Sequence, residues 1–327
     1  MRLLSRQDVQ QAITMAQAIE VVKEAFAQLS AGEAVVPLRT PIEVAKHQGT
    51  ILFMPAYLEK TEGLAVKIVS VFPGNLALGL PTIHALVVVA DSRTGQPLAA
   101  MEGSYLTALR TGAASGAATD LLAREEAKVV ACFGAGAQAR TQLQAVCQVR
   151  DIQRVWVKSR TADSAQRFAH EMRGQGRIPA DVRVAASPAQ AVREADIVIT
   201  ATTSSSPVFD GRDLRPGTHI NAIGSFTPQM QEVDETTIRR AKIVVDSREA
   251  CLAEAGDLII PLRKGLISEA DIHAELGEIV LGRKAGRESP EEVTYFKSVG
   301  NAVQDAAVAS FVLQEAEKRG LGVEVSL

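Results

Sequence analysis

The chain has 327 residues, more than one hydrophobic core usually organises, so two domains are expected. Lys and Arg number 35 against 38 Asp and Glu, a net charge of -3, and this balance speaks against nucleic acid as a partner, which would call for a basic surface. A hydrophobic share of 46% with 22% charged residues excludes wholesale disorder, and with aromatics at only 4% the core must be built from Ala, Val, Ile and Leu.

From the N-terminus, residues 5–29 read as an amphipathic helix pair. Val9, Ala12 and Ile13 belong to the first; after Thr14 as N-cap, Ala18, Val21, Val22, Ala25, Phe26 and Leu29 recur at helical spacing, and Gly32 ends the second. Arg6, Asp8 and Glu20 interrupt the apolar positions, so no signal peptide is expected, and no apolar run approaches the ~20 residues of a membrane span. Between Val35 and Ala90 the texture changes to strands separated by Gly and Pro, at 41–44, 49–54, 64–72 and 83–91. A turn at 91–95 and a strand at 97–101 complete a mainly antiparallel sheet. Small residues, among them Ala108, Gly112, Ala113 and Gly116, fill a helix at 104–122 that can approach another backbone closely, as a domain junction requires.

From Lys128 strands alternate with helices: strands at 129–133, 154–157, 182–185, 197–200, 219–223 and 243–245, helices at 137–149 and 162–173. This is the α/β pattern of a Rossmann-type doubly wound parallel sheet. A last helix at 301–319, with Val303, Ala307, Ser310 and Phe311 on one face and Gly320 as C-cap, is expected to fold back on the first region. The expected division is therefore 1–115 joined by 300–327, and 116–299. Three cysteines, Cys132, Cys147 and Cys251, match no zinc or disulfide spacing, so reduced core thiols and a cytoplasmic location are expected.

The sharpest local motif spans 129–139, a buried strand running through Gly-x-Gly-x-x-Ala into a helix. Gly134 permits the tight turn and Gly136 lets a pyrophosphate approach the backbone. Ala137 and Gln138 open the helix with free N–H groups, and Ala139 lets it pack near the strand. Glycines at such a turn also serve packing alone. The strand before, the helix after, a second strand further on and a third ending at Thr200 favour a dinucleotide site. NAD sites usually carry an acid at the end of the second strand, whereas a 2'-phosphate needs cationic or hydroxyl donors. Here Ser159, Arg160 and Thr161 occupy that place, so NADPH is the expected cofactor, with NADH possible.

Three cations stand out in the first region. Lys67 shares its strand face with Ala65, Val69 and Val71, so its amine must reach an anion or carry a depressed pKa. Arg110 lies on a helical face with Thr107, Ala113, Ala114 and Ala117, and Arg39 sits between Pro37 and Pro41, where the backbone is stiff. Each can be structural by itself; together they suit a carboxylate.

Over nearly its whole length the chain resembles the ornithine cyclodeaminase/mu-crystallin family. The motifs that carry the likeness are Lys67-Ile-Val-Ser-Val-Phe-Pro-Gly-Asn75, Ala108-Leu-Arg-Thr-Gly112, Phe133-Gly-Ala-Gly-Ala-Gln138, Asn221-Ala-Ile-Gly-Ser225, Glu254-Ala-Gly-Asp257 and Phe296-Lys-Ser-Val-Gly300. The resemblance implies an NAD(P)-dependent enzyme and a homodimer built through the first, substrate-binding domain. It places carboxylate ligands on Arg39, Lys67 and Arg110, and sets Gly224, Ser225, Ser298 and Gly300 against the nicotinamide. Where a cyclodeaminase has an aspartate, this chain has Phe226, which cannot pair with an ammonium group but can pack on the methylenes of a cyclic substrate.

The expected function is reduction of a cyclic imino acid, pyrroline-2-carboxylate or piperideine-2-carboxylate, with Lys67 and Arg110 as catalytic residues and no metal. Alternatives are an ornithine cyclodeaminase, an alanine-type dehydrogenase or a non-catalytic binding protein. Asp305 reads as a capping or pairing residue, His84 as a hydrogen-bonded core histidine, and Glu254 to Asp257 as a loop braced by its carboxylates. His47, His170, His219 and His273 lack the company of a metal site.

Overall fold

The computed structural model describes residues 1–326, which form two compact units: Met1–Arg110 together with the chain from Asn301 onward, and Thr111–Gly300. The first opens with a short strand β1 (Arg2–Leu4) and the helices α1 (Arg6–Ala12) and α2 (Met15–Ala31). Ser5 and Thr14 cap these helices through reciprocal capping boxes, and Gly32, at φ 78°, takes the left-handed C-cap of α2. Strands β2 (Ala34–Val35), β3 (Thr40–Val44), β4 (Gly49–Leu58), β5 (Gly63–Val71), β6 (Ile83–Ala90) and β7 (Pro97–Glu102) follow, and α3 (Gly103–Leu122) runs on into the second unit.

That second unit alternates strand and helix: β8 (Val129–Phe133), α4 (Ala137–Val149), β9 (Arg154–Lys158), α5 (Ala162–Met172), β10 (Val182–Val184), α6 (Pro188–Glu194) and β11 (Ile197–Thr200). It continues through β12 (His219–Ala222), α7 (Glu235–Arg240), β13 (Ala241–Val245), α8 (Arg248–Glu254), α9 (Gly256–Arg263), β14 (Ile272–Glu275), α10 (Leu276–Val280) and β15 (Val293–Lys297). The chain then returns to the first unit as α11 (Ala302–Arg319) and β16 (Val323–Glu324).

In the first unit the sheet order is β16-β1-β7-β6-β5-β4-β2, with β3 paired to β4, and every pairing except β1 with β7 is antiparallel. Alternation along β5 buries Ala65, Lys67 and Val69 on one face, on which α11 packs, and leaves Leu64, Val66 and Ile68 half-exposed on the other. The second unit has an all-parallel sheet in the order β10-β9-β8-β11-β12-β15-β13-β14. Both of its faces are covered. Ala131 and Phe133 of β8 enter one apolar core, Val130 and Cys132 the other, as a strand buried on two sides requires.

Several expectations need correction. Strands Val293–Lys297 and Ile272–Glu275, absent from the sequence reading, stand inside the parallel sheet and at its edge. His84 is exposed, because burial on β6 begins only at Val87. The stretch 254–257 is the junction of α8 and α9, not a loop. On α11, Ala307, Ser310 and Phe311 are only half-buried; Asp305, Val308, Ala309, Val312 and Ala316 are buried, since α11 packs on the sheet and on α1 and α2 at once. All three cysteines are buried. No helix among the described residues is long and apolar enough to cross a membrane.

Candidate active site

In the first unit, β5, α3 and the first turn of α11 bring together a buried charge cluster. Asp305, 1% exposed, places Oδ2 2.7 Å from the Lys67 Nζ and Oδ1 3.0 Å from the Arg110 Nε. Gln304 joins it: its Oε1 accepts from the Asn301 N–H at 3.0 Å, completing the helix cap, and from the Arg110 Nη1. Two buried cations thus share one carboxylate, leaving a surplus of positive charge. Burial and the neighbouring Arg110 push the Lys67 amine down to about 7 against the pull of Asp305, and the charge of Arg39 adds to the depression. Arg39 itself is half-buried in the segment between β2 and β3. An amine near neutrality beside a fixed guanidinium can hold a carboxylate and exchange a proton.

In the second unit the glycine-rich turn follows β8. Gly134 has φ +113°, and a Cβ on it would meet the Ala201 carbonyl oxygen at 2.4 Å, so the turn and the close approach to the end of β11 both demand glycine. Gly136 is the N-cap of α4; no side chain caps the helix, and nothing lies within 4 Å of a Cβ built there. Ala137 and Gln138 open the helix and Ala139 is fully buried. Open space over uncapped N–H groups at a helix terminus fits a dinucleotide pyrophosphate. At the end of β9, Ser159 is half-buried and accepts from the Ser164 hydroxyl at 2.9 Å, Thr161 caps α5, and Arg160 is exposed. None of these three is an acid, and the nearest acid along the chain is Asp163 in the first turn of α5.

The remaining expected cofactor residues lie on segments that buried carboxylates hold. Thr200 ends β11 with its hydroxyl donated to Glu232 at 2.9 Å, and the Gly224 N–H, after β12, donates to the same carboxylate at 2.7 Å. Asp246, after β13, accepts from the Ser298 hydroxyl at 2.7 Å and from the N–H groups of Val299 and Gly300 at 3.0 and 2.9 Å. Ser225 donates its hydroxyl to the Met230 carbonyl at 2.8 Å. Asp257 accepts from the N–H groups of Glu232 and Val233, so a carboxylate of the 254–257 motif does brace backbone. The hydroxyls of Thr200, Ser225 and Ser298 are therefore committed internally, and what these segments offer a ligand is backbone. His219 is buried, pushed down to about 3 by desolvation, and hydrogen-bonded to Thr294 and Asn221. Among the described residues no group of His, Cys, Asp and Glu is arranged to hold a metal.

The sequence profile of the ornithine cyclodeaminase/mu-crystallin family matches residues 1–320. The chain belongs to this family. Among its family relatives, a Delta(1)-pyrroline-2-carboxylate reductase of Bacillus cereus is 45% identical over 326 residues, 99% of each chain. The solved structure of the Thermococcus litoralis Delta(1)-pyrroline-2-carboxylate reductase, in complex with NADH and L-proline, is 49% identical and superposes with a TM-score of 0.95, covering 99% of this chain and 100% of that one. An archaeal alanine dehydrogenase dimer with bound NAD is 38% identical, with a TM-score of 0.92 over 100% of this chain and 99% of that one.

Sequence reasoning weighed Asp305 and set it aside as structural, and it missed Gln304, Glu232 and Asp246. Asp305 was within reach of the logic that found Lys67, being an acid on the apolar face of α11 with Val308, Ala309 and Val312. Glu232 and Asp246 stand outside any motif, and only the meeting of strand ends reveals them. Phe226 is 45% exposed in the second unit.

Proposed function

We propose that this chain reduces pyrroline-2-carboxylate to proline with NADPH as the preferred reductant. In class it is an NAD(P)H-dependent oxidoreductase, a reductase of cyclic imino acids. The observation that carries the substrate reading is the buried cluster of Lys67, Arg110 and Asp305, in which cations exceed anions and a carboxylate would complete the balance. Arg110 and Arg39 hold that carboxylate as permanent charges. Lys67 has both forms populated near neutral pH, so it anchors the substrate and delivers a proton to the imine nitrogen, and Asp305 keeps the amine in place. A bound reduced dinucleotide supplies the hydride for the imine carbon. Phe226 offers an apolar surface to ring methylenes and no acceptor for a side-chain amine, so ornithine should be a poor substrate.

Thr111–Gly300 is the dinucleotide-binding domain and the first unit the substrate-binding and dimerisation domain. The NADPH preference rests on Ser159, Arg160 and Thr161, with Arg160 exposed and no acid among the three. A homodimer is supported by the uncovered sheet face of the first unit, where the cross-strand rows Phe53, Ile68, Leu86 and Pro55, Val66, Val88 are apolar and only partly buried. Three unpaired cysteines suit a reducing cytoplasm. The test is NADPH and NADH oxidation over a panel of cyclic imino acids and open-chain oxo acids with ammonia, plus ammonia release from ornithine. Fastest turnover is expected with NADPH and the five-membered imine; ornithine turnover of comparable rate would overturn the reading.

A further inference from the structure

Glu232, between β12 and α7, is fully buried and accepts from four donors on two separate loops. Its Oε1 receives the Thr202 N–H at 2.6 Å and the Thr202 hydroxyl at 2.7 Å. Its Oε2 receives the Gly224 N–H at 2.7 Å and the Thr200 hydroxyl at 2.9 Å. A backbone N–H on each oxygen suits the ionised, acceptor-only form. Yet among the described residues Glu232 forms no ion pair. Lys297, also fully buried, is 3.4 Å from the Asp257 Oδ2 and donates to the Ala222 carbonyl at 3.1 Å. Burial and the nearby Asp257 push the Glu232 carboxyl above its usual range, against the pull of Lys297 and of the Thr202 hydrogen bonds.

A fully buried carboxylate that makes no direct ion pair is costly even with the Lys297 ammonium nearby, and bracing two loops does not of itself require a charge. The loops concerned leave the C-terminal ends of β11 and β12, beside the reversal of strand order between β8 and β11, where open parallel sheets receive their ligands. A Cβ on Gly224 would meet the Thr202 carbonyl oxygen at 2.2 Å, so the two loops are drawn together as closely as backbone allows.

Building on the dinucleotide reading above, we propose that Glu232 is a positioning residue that clamps the loops at the nicotinamide end of the site and, through its charge, favours the oxidised ring over the reduced one. Hydride donation leaves a positive charge on that ring. A carboxylate fixed nearby in a low dielectric lowers the free energy of the charged state, which makes the reduced cofactor a stronger donor.

The test is the ratio of dissociation constants, Kd for NADP+ over Kd for NADPH, measured by calorimetry on the full chain. Glu232→Gln removes the charge and should raise the ratio about tenfold, which for a two-electron couple is about 30 mV in the bound potential. Affinity for ADP-ribose, which lacks the nicotinamide, should stay within about twofold if the turn at Gly134 is undisturbed. Glu232→Asp keeps the charge with a shorter reach, so it should weaken both forms together. Thr200→Val, a milder change that removes one donor from the carboxylate, should move the ratio in the same direction by a smaller factor and serves if Glu232→Gln does not fold. Equal weakening of both forms in Glu232→Gln, or an unmoved ratio in Thr200→Val, would overturn the charge role while leaving the reductase reading intact. Failure of the unmodified chain to bind either dinucleotide would overturn both.

Discussion

The two units each bury charge, and they do so in opposite ways. In the first, Lys67 and Arg110 share the single carboxylate of Asp305, so the cluster is cation-rich and short of one anion. In the second, Glu232, Asp246 and Asp257 outnumber Lys297, and their oxygens are filled by N–H and O–H donors from neighbouring loops. The contrast separates two uses of a buried ion. A cluster with unbalanced charge is built for a ligand of the missing sign. A carboxylate saturated by loop donors fixes those loops first, and its charge then acts on whatever the loops hold.

The largest expected effect comes from Lys67. Lys67→Ala should lower kcat by about 10²- to 10⁴-fold and raise KM as well, because one amine serves as anchor and proton donor. Lys67→Arg should recover KM better than kcat, and steady-state kinetics with the five-membered imine separates the two roles. Next come the carboxylates. Asp305→Asn and Asp257→Asn should each cost about 3–5 kcal/mol in denaturant unfolding, since each leaves buried cationic groups without their partner. Here the comparison breaks or holds: saturating proline should raise the melting temperature of Asp305→Asn by more than it raises that of the unmodified chain, because its carboxylate can replace the missing one, and should raise that of Asp257→Asn only by the unmodified chain's increment. Equal rescue of both would dissolve the distinction. The smallest effect belongs to the exposed Arg160. Arg160→Ala should weaken NADPH by about tenfold and leave NADH nearly unchanged in fluorescence titrations, the loss of one charge-assisted contact.

Much of this was legible because local rules and the global fold agree. Thr14, Gly32 and Gly320 signalled helix ends through capping chemistry, and the 129–139 segment signalled strand, turn and helix together. Lys67 was conspicuous because a strand displays its alternation in the sequence. Val293–Lys297 was not, since Thr294, Tyr295 and Lys297 direct polar atoms into internal hydrogen bonds and blur the apolar pattern of a central strand. His84 misled for the converse reason: apolar neighbours do not guarantee that the start of a strand is covered. Glu232 and Asp246 were invisible because their partners lie on other strands, and no spacing along the chain records which strand ends meet.

The central claim is that Lys67 works near its own pKa, and the pH dependence of kcat/KM tests it most directly. With Lys67 pushed down to about 7, the protonated donor is lost as pH rises through that value. For the unmodified chain, kcat/KM for pyrroline-2-carboxylate should therefore fall about tenfold per pH unit above it. The imine nitrogen titrates as well, so the decisive comparison is Lys67→Arg, whose guanidinium stays charged throughout: its profile should keep only the limb that belongs to the substrate. Profiles of identical shape in the two proteins would contradict the account and leave Lys67 an anchor alone.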